Sequence, residues 1–189
     1  MKKIEIDTFL KFRFLSNPHF SPDGTKIAFT VSVPDRETNG YLSDLYLYDL
    51  GNKTVSRVTC AGDAKIWSWT AENTLIFTAA RTAALKKEKE NGTSFFYEIS
   101  PSGGEASCRA SVPASVTGIR LLPDGRYLLT IRHDNYKDTR KKSYEVFDEL
   151  PFWANGQGIV NKKRTRLAVY DMESGSCEIV TPDYENVES

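Results

Sequence analysis

Side chains able to do chemistry are few and scattered in this 189-residue chain. The two histidines, His19 and His133, have no second ligand-type residue at metal spacing, and no Cys-x-x-Cys occurs. No Gly-x-Ser-x-Gly is present, so the sharp turn that usually exposes a hydrolase serine is missing. Gly156-Gln157-Gly158 is no phosphate loop, because no strand signal precedes it and no third glycine opens a helix. Nucleophilic catalysis needs a nucleophile, its base and oxyanion donors brought together. The sequence names no such set, and no metal or cofactor ligands. By itself the chain is expected to hydrolyse nothing.

One stretch stands apart. Tyr144, Phe147, Leu150, Phe152 and Trp153 fall within ten residues, beside the acidic pair Asp148-Glu149. So much apolar surface does not stay in water, and the stretch is expected to pack onto something. Adjacent acids in a loop are ordinarily solvated, so the pair alone indicates no acid–base site.

The elements that carry these residues form a repeat. Phe20-Ser21-Pro22-Asp23-Gly24 returns as Trp69-Thr70-Ala71-Glu72-Asn73 and as Leu121-Leu122-Pro123-Asp124-Gly125. An apolar, β-prone run follows each, and a second such run and a short closing strand come later. Pro-Asp-Gly makes a tight hairpin, and Asn73 can take the left-handed conformation that glycine takes in the other two. In Lys26 to Val33, alternation puts Ile27 and Phe29 on one face. A repeat of about 50 residues with four strand signals predicts propeller blades. The expected fold is all-β: three four-stranded antiparallel blades of an incomplete ring, with at most a short helix near Asp7 to Phe12. Residues 1–16 form a lead segment, 17–62 blade 1, 63–115 blade 2, and 116–182 blade 3 with a long insertion at 133–165. Residues 183–189 would open a fourth blade. Phe29, Trp67, Trp69 and Phe77 are expected between blades.

The links from second to third strand are expected to be long: Pro34 to Ser43, Thr82 to Thr93, and His133 to Thr165. Up-and-down strands send all three to one end of the blades, which marks a working face or, for the first two loops, tolerated surface insertions. Leu85 to Gly92 reads as a charged loop tip or a short solvated helix.

Lys plus Arg and Asp plus Glu number 25 each, so no net field draws the chain to nucleic acid or an anionic membrane. No apolar run nears the roughly 20 residues that span a bilayer, and Glu5 and Asp7 interrupt any signal-peptide core. A cytoplasmic location is expected. Cys60, Cys108 and Cys177 fall in or beside the fourth strand of three repeats, too far apart to pair. Uncovered flanks of blades 1 and 3 are expected to make the chain self-associate.

The run Phe9-Leu10-Lys11-Phe12-Arg13-Phe14-Leu15-Ser16-Asn17-Pro18-His19-Phe20-Ser21-Pro22-Asp23-Gly24 resembles the opening of the prolyl oligopeptidase family of serine peptidases, in its acylaminoacyl-peptidase-like branch. Ser43 to Asp49, the strand ending in Arg81, and Glu149-Leu150-Pro151-Phe152-Trp153-Ala154-Asn155-Gly156-Gln157-Gly158 agree. The resemblance implies a seven- or eight-bladed propeller capping an α/β-hydrolase domain that carries Ser, Asp and His. None of those positions lies in this sequence. What it implies here is the N-terminal portion of a lid that restricts a catalytic site to short peptides, with peptide substrate reached through the hydrolase domain. Glu149, Phe152 and Trp153 then become candidate gating or domain-interface residues: the two rings an apolar anchor, Glu149 a partner for a substrate amine or an interface base. Packing of the loop onto its own blade is the competing reading. A non-catalytic binding propeller of the TolB type is the alternative for the whole chain.

Overall fold

The computed structural model describes residues 5–134, 152–154, 158–160, 163–183 and 185–187. A 3-10 helix, Ile6–Lys11, opens it. Three four-stranded antiparallel sheets follow. Blade 1 is β1 (Phe14–Phe20), β2 (Lys26–Asp35), β3 (Gly40–Asp49) and β4 (Thr54–Arg57). Blade 2 is β5 (Trp67–Trp69), β6 (Leu75–Thr78), β7 (Ser94–Ile99) and β8 (Ser107–Val112). Blade 3 is β9 (Ser115–Leu121), β10 (Tyr127–Asp134), β13 (Lys163–Tyr170) and β14 (Cys177–Ile179). Between β10 and β13 lies a small hairpin, β11 (Phe152–Ala154) and β12 (Gly158–Val160). One α-helix, α1 (Ala83–Glu90), interrupts blade 2.

The repeated turns fold as their residues require. Gly24, Asn73 and Gly125 have φ of 70°, 59° and 86°. Each donates its backbone N–H three residues back, to Ser21, Thr70 and Leu122. Asp23 holds the first turn by accepting from the Ser21 hydroxyl at 2.6 Å and from the Thr25 N–H at 2.9 Å. The second turn docks on the first, since the Asp23 N–H donates to Asn73 Oδ1 at 3.1 Å.

Two cores lie between the sheets. One joins Ala28, Leu45 and Leu47 of blade 1 to Trp67, Trp69, Phe77 and Tyr97 of blade 2. The other joins Ile76, Phe96 and Val112 of blade 2 to Val116, Leu129, Ile131 and Tyr170 of blade 3. Blade 2 is therefore buried on both faces, while blades 1 and 3 are each packed on one face among the described residues. The Trp67 indole N–H finds the Thr30 hydroxyl at 2.8 Å, so its burial leaves no donor stranded. Removing such a ring costs about 3–5 kcal/mol.

Several expectations need correction. The first strand, which the sequence places at Asn17 to Ser21, starts at Phe14. The link from β2 to β3 is no long loop. The strands run on, pairing Pro34 with Tyr41 and Asp35 with Gly40. Asp35 Oδ2 closes the reversal by accepting from the Thr38 N–H and hydroxyl at 2.9 and 2.6 Å. Phe29 is not between blades. It faces away from blade 2 and stacks on Tyr46, ring centroids 6.0 Å apart. A helix beyond the one expected near Asp7 to Phe12 is present. The charged stretch takes the second of its two readings, a solvated helix, α1, whose Thr82 side chain caps it by accepting from the Leu85 N–H at 3.2 Å. The insertion of blade 3 is shorter than expected, because β10 reaches Asp134 and β13 begins at Lys163.

Candidate functional site

The strand order sends the links β2–β3, β6–β7 and β10–β13 to one end of the blades. The first is a tight reversal at 36–39, the second carries α1, and the third carries the β11–β12 hairpin. Of the candidate gating residues, Phe152 pairs with Val160 and Trp153 with Ile159 in that hairpin. Glu149 lies outside the described residues. Ala154 pairs with Gly158 at the end of the same ladder.

A second cluster sits where the first strands of the three blades converge, the side that faces the axis of a propeller. The His19 ring in β1 meets the Trp67 ring in β5 edge-on, centroids 5.5 Å apart. The Trp69 indole donates to the His19 carbonyl at 3.2 Å. Arg120 of β9 reaches His19 Nε2. A guanidinium can only donate, so Nε2 accepts and the ring proton sits on Nδ1, facing the Asn17 carbonyl at 3.0 Å. In the sequence His19 has no second ligand at metal spacing, and nothing there singles out Arg120. The two are 101 residues apart, and no local pattern links them.

The turn carboxylates are spent on structure. Hydrogen bonds from Ser21, then from the Thr25 backbone and hydroxyl, hold Asp23 down at about 2. The Arg126 side chain, then its N–H, holds Asp124 below the usual carboxylate range. Backbone donors from Asn52 and Ser174 do the same for Asp49 and Asp171. Acids held ionised in this way make poor proton shuttles near neutral pH. Among the described residues no group of His, Cys, Asp and Glu could hold a metal. Cys60, Cys108 and Cys177 are exposed and unpaired.

A Bacillus subtilis (strain 168) protein described as an uncharacterized peptidase, YuxL, is 25% identical across 96% of this chain. The chain resembles the propeller portion of a peptidase. Solved structures agree on the fold. An acylaminoacyl peptidase in complex with Z-Gly-Gly-Phe-chloromethyl ketone matches 93% of the chain with a TM-score of 0.66 and 18% identity. The orthorhombic crystal form of Pyrococcus horikoshii acylaminoacyl peptidase matches the same share at 0.65 and 18%. The AtxE2 isopeptidase matches 87% at 0.53 and 15%. The chain covers 28% of YuxL and 25% of each acylaminoacyl peptidase. No family model matches it. No helix among the described residues is long and apolar enough to cross a membrane.

Proposed function

We propose that this chain is part of the gating propeller of a peptidase, with the nucleophile, its base and the oxyanion donors supplied by a hydrolase domain outside it. The observation that carries the reading is the similarity to YuxL along 96% of the chain, in a sequence that holds no nucleophile elbow of its own. The end of the blades bearing α1 and the β11–β12 hairpin faces that domain, and peptide substrate passes there. Phe152 and Trp153 anchor the contact and Glu149 meets a substrate amine or a base across the interface. The cytoplasm suits the three exposed thiols, which stay reduced there.

The test uses the full-length protein with peptides of graded length. Glu149→Gln and Trp153→Ala are expected to change turnover or length selectivity while the near-ultraviolet circular dichroism stays native. Unchanged kinetics with lost stability for Trp153→Ala would assign the hairpin to packing alone. A full-length protein that no serine-directed inhibitor labels would overturn the peptidase reading and favour a binding propeller.

A further inference from the structure

Arg81 follows β6 and turns its guanidinium back over the blade. Its central carbon lies 5.4 Å from the Phe77 ring centroid and 5.0 Å from that of Tyr97. The two rings are themselves stacked, 6.2 Å apart, and both are buried. Among the described residues no carboxylate lies within ion-pairing distance of Arg81, and no hydrogen bond or ion pair there uses its N–H groups. A guanidinium held by aromatic rings makes that contact without using its N–H donors, which are the groups that grip a carboxylate with two parallel hydrogen bonds.

Arg81 lines a cavity of about 390 Å³ between the tail of β4 and the β7–β8 turn. The volume lies within the range of small-molecule sites. Val58, Ile99 and Ala106 give it an apolar wall, and Ile99 is 5% exposed. Thr59 lines it too, but its hydroxyl is already engaged with Asp44 and with the Leu45 N–H. Glu105 lines the same cavity and offers an acceptor. A fixed cation, an apolar wall and a second, acidic group are the three features that recognise an amino-acid unit: its α-carboxylate, its side chain and its nitrogen.

We propose that this cleft between blades 1 and 2 binds an α-carboxylate with an adjoining apolar side chain, as a free amino acid or as the C-terminal residue of a short peptide. Arg81 takes the carboxylate, the Val58–Ile99–Ala106 wall takes the side chain, and Glu105 takes the amine or amide N–H. The site is independent of the peptidase reading, because it needs only this chain and no catalysis.

The experiment is a calorimetric titration of the chain with leucine, Gly-Leu and N-acetyl-leucine, with leucinamide as the probe lacking a carboxylate. Saturable millimolar binding of at least one carboxylate, and none of leucinamide, is expected. Leucine tighter than N-acetyl-leucine identifies a free amino acid, and Gly-Leu tighter than leucine identifies a peptide end. Arg81→Lys keeps the charge and loses the fork, and should weaken binding about tenfold. Arg81→Gln should abolish it. Glu105→Gln, at an exposed position, should weaken leucine more than N-acetyl-leucine. Bound ligand should slow alkylation of Cys60, which borders the cavity, while Cys108 and Cys177 react unchanged. No binding by the natively folded chain, or equal binding of leucinamide, overturns the proposal. So does Arg81→Lys binding as tightly as the wild type. Should Arg81→Gln unfold, the leucinamide and Cys60 arms decide alone.

Discussion

Asp44 in blade 1 and Arg166 in blade 3 occupy the same place with opposite charge. Each precedes a leucine whose N–H donates to a threonine hydroxyl beyond the last strand, Leu45 to Thr59 at 2.9 Å and Leu167 to Thr181 at 3.3 Å. Asp44 accepts from Arg57 at 2.7 Å and from Thr59 and the Gly62 N–H at 3.0 Å. Arg166 instead donates to Asp183 at 2.6 Å and to the Thr181 carbonyl. Both side chains are buried, and each ties the end of its fourth strand to the third. Blades 1 and 3 thus hold a buried, paired charge of opposite sign here, while blade 2 holds the buried Phe95 at the equivalent position.

Asp44→Ala should therefore destabilise the chain by about 2–3 kcal/mol. That is below the roughly 3–5 of a fully buried pair, since the Arg57 side chain is 48% exposed. Asp44→Asn should recover part of the loss by keeping an acceptor for Thr59. Chemical denaturation measures both. Equal losses would mean that charge, not hydrogen bonding, holds the strand end.

Gly62→Ala should cost more than its half-buried position would indicate. Its φ is +73°, and an added Cβ would stand 3.0 Å from Leu42 Cβ. Its N–H also serves Asp44, and its carbonyl accepts from the Ser43 N–H at 2.9 Å. We expect a loss of about 1–3 kcal/mol by thermal or urea unfolding. Gly24→Ala, which meets nothing within 4 Å, should lose only the left-handed strain.

Alkaline pH should weaken the fold through Tyr127. Burial pushes its phenol up to about 12. The unfolded chain ionises near 10, so the stabilisation is complete below that pH and is lost as pH rises toward 12. Allowing for partial solvation, the change is about 1–2 kcal/mol. Urea midpoints measured from pH 9 to 12 should fall more steeply for the wild type than for Tyr127→Phe. A residual slope in the variant is expected from Tyr170, which burial also raises.

The uncovered faces of blades 1 and 3 should make the chain associate. Leu15, Phe20 and Val55, 69%, 65% and 60% exposed, belong to blade 1, and Val180, 52% exposed, follows blade 3. Size-exclusion chromatography should show an apparent mass that grows with concentration, and Phe20→Ser with Val55→Thr should reduce it. A monomer at every concentration would count against open flanks.

The sequence by itself determined the repeat, its strand order and its turns, because these rest on local chemistry. Asn73 adopts a left-handed φ for the reason that Gly24 and Gly125 do: a tight hairpin demands it, and only small or amide-bearing residues supply it. Alternation also determined which residues share a face. It could not say which face meets which neighbour. Ala28 and Thr30, not Ile27 and Phe29, turn toward blade 2, where Ala28 packs in the core with Trp67 and Trp69 and Thr30 accepts from the Trp67 indole. The β2–β3 reversal was hidden because Pro34 and the polar residues after it read as loop, whereas antiparallel pairing continues past them. The contacts of Arg81 with buried rings, of Arg120 with His19, and of Asp44 with Gly62 were likewise set by tertiary structure. Each depends on where the backbone carries a long or charged side chain, and separations up to 101 residues leave no periodic trace.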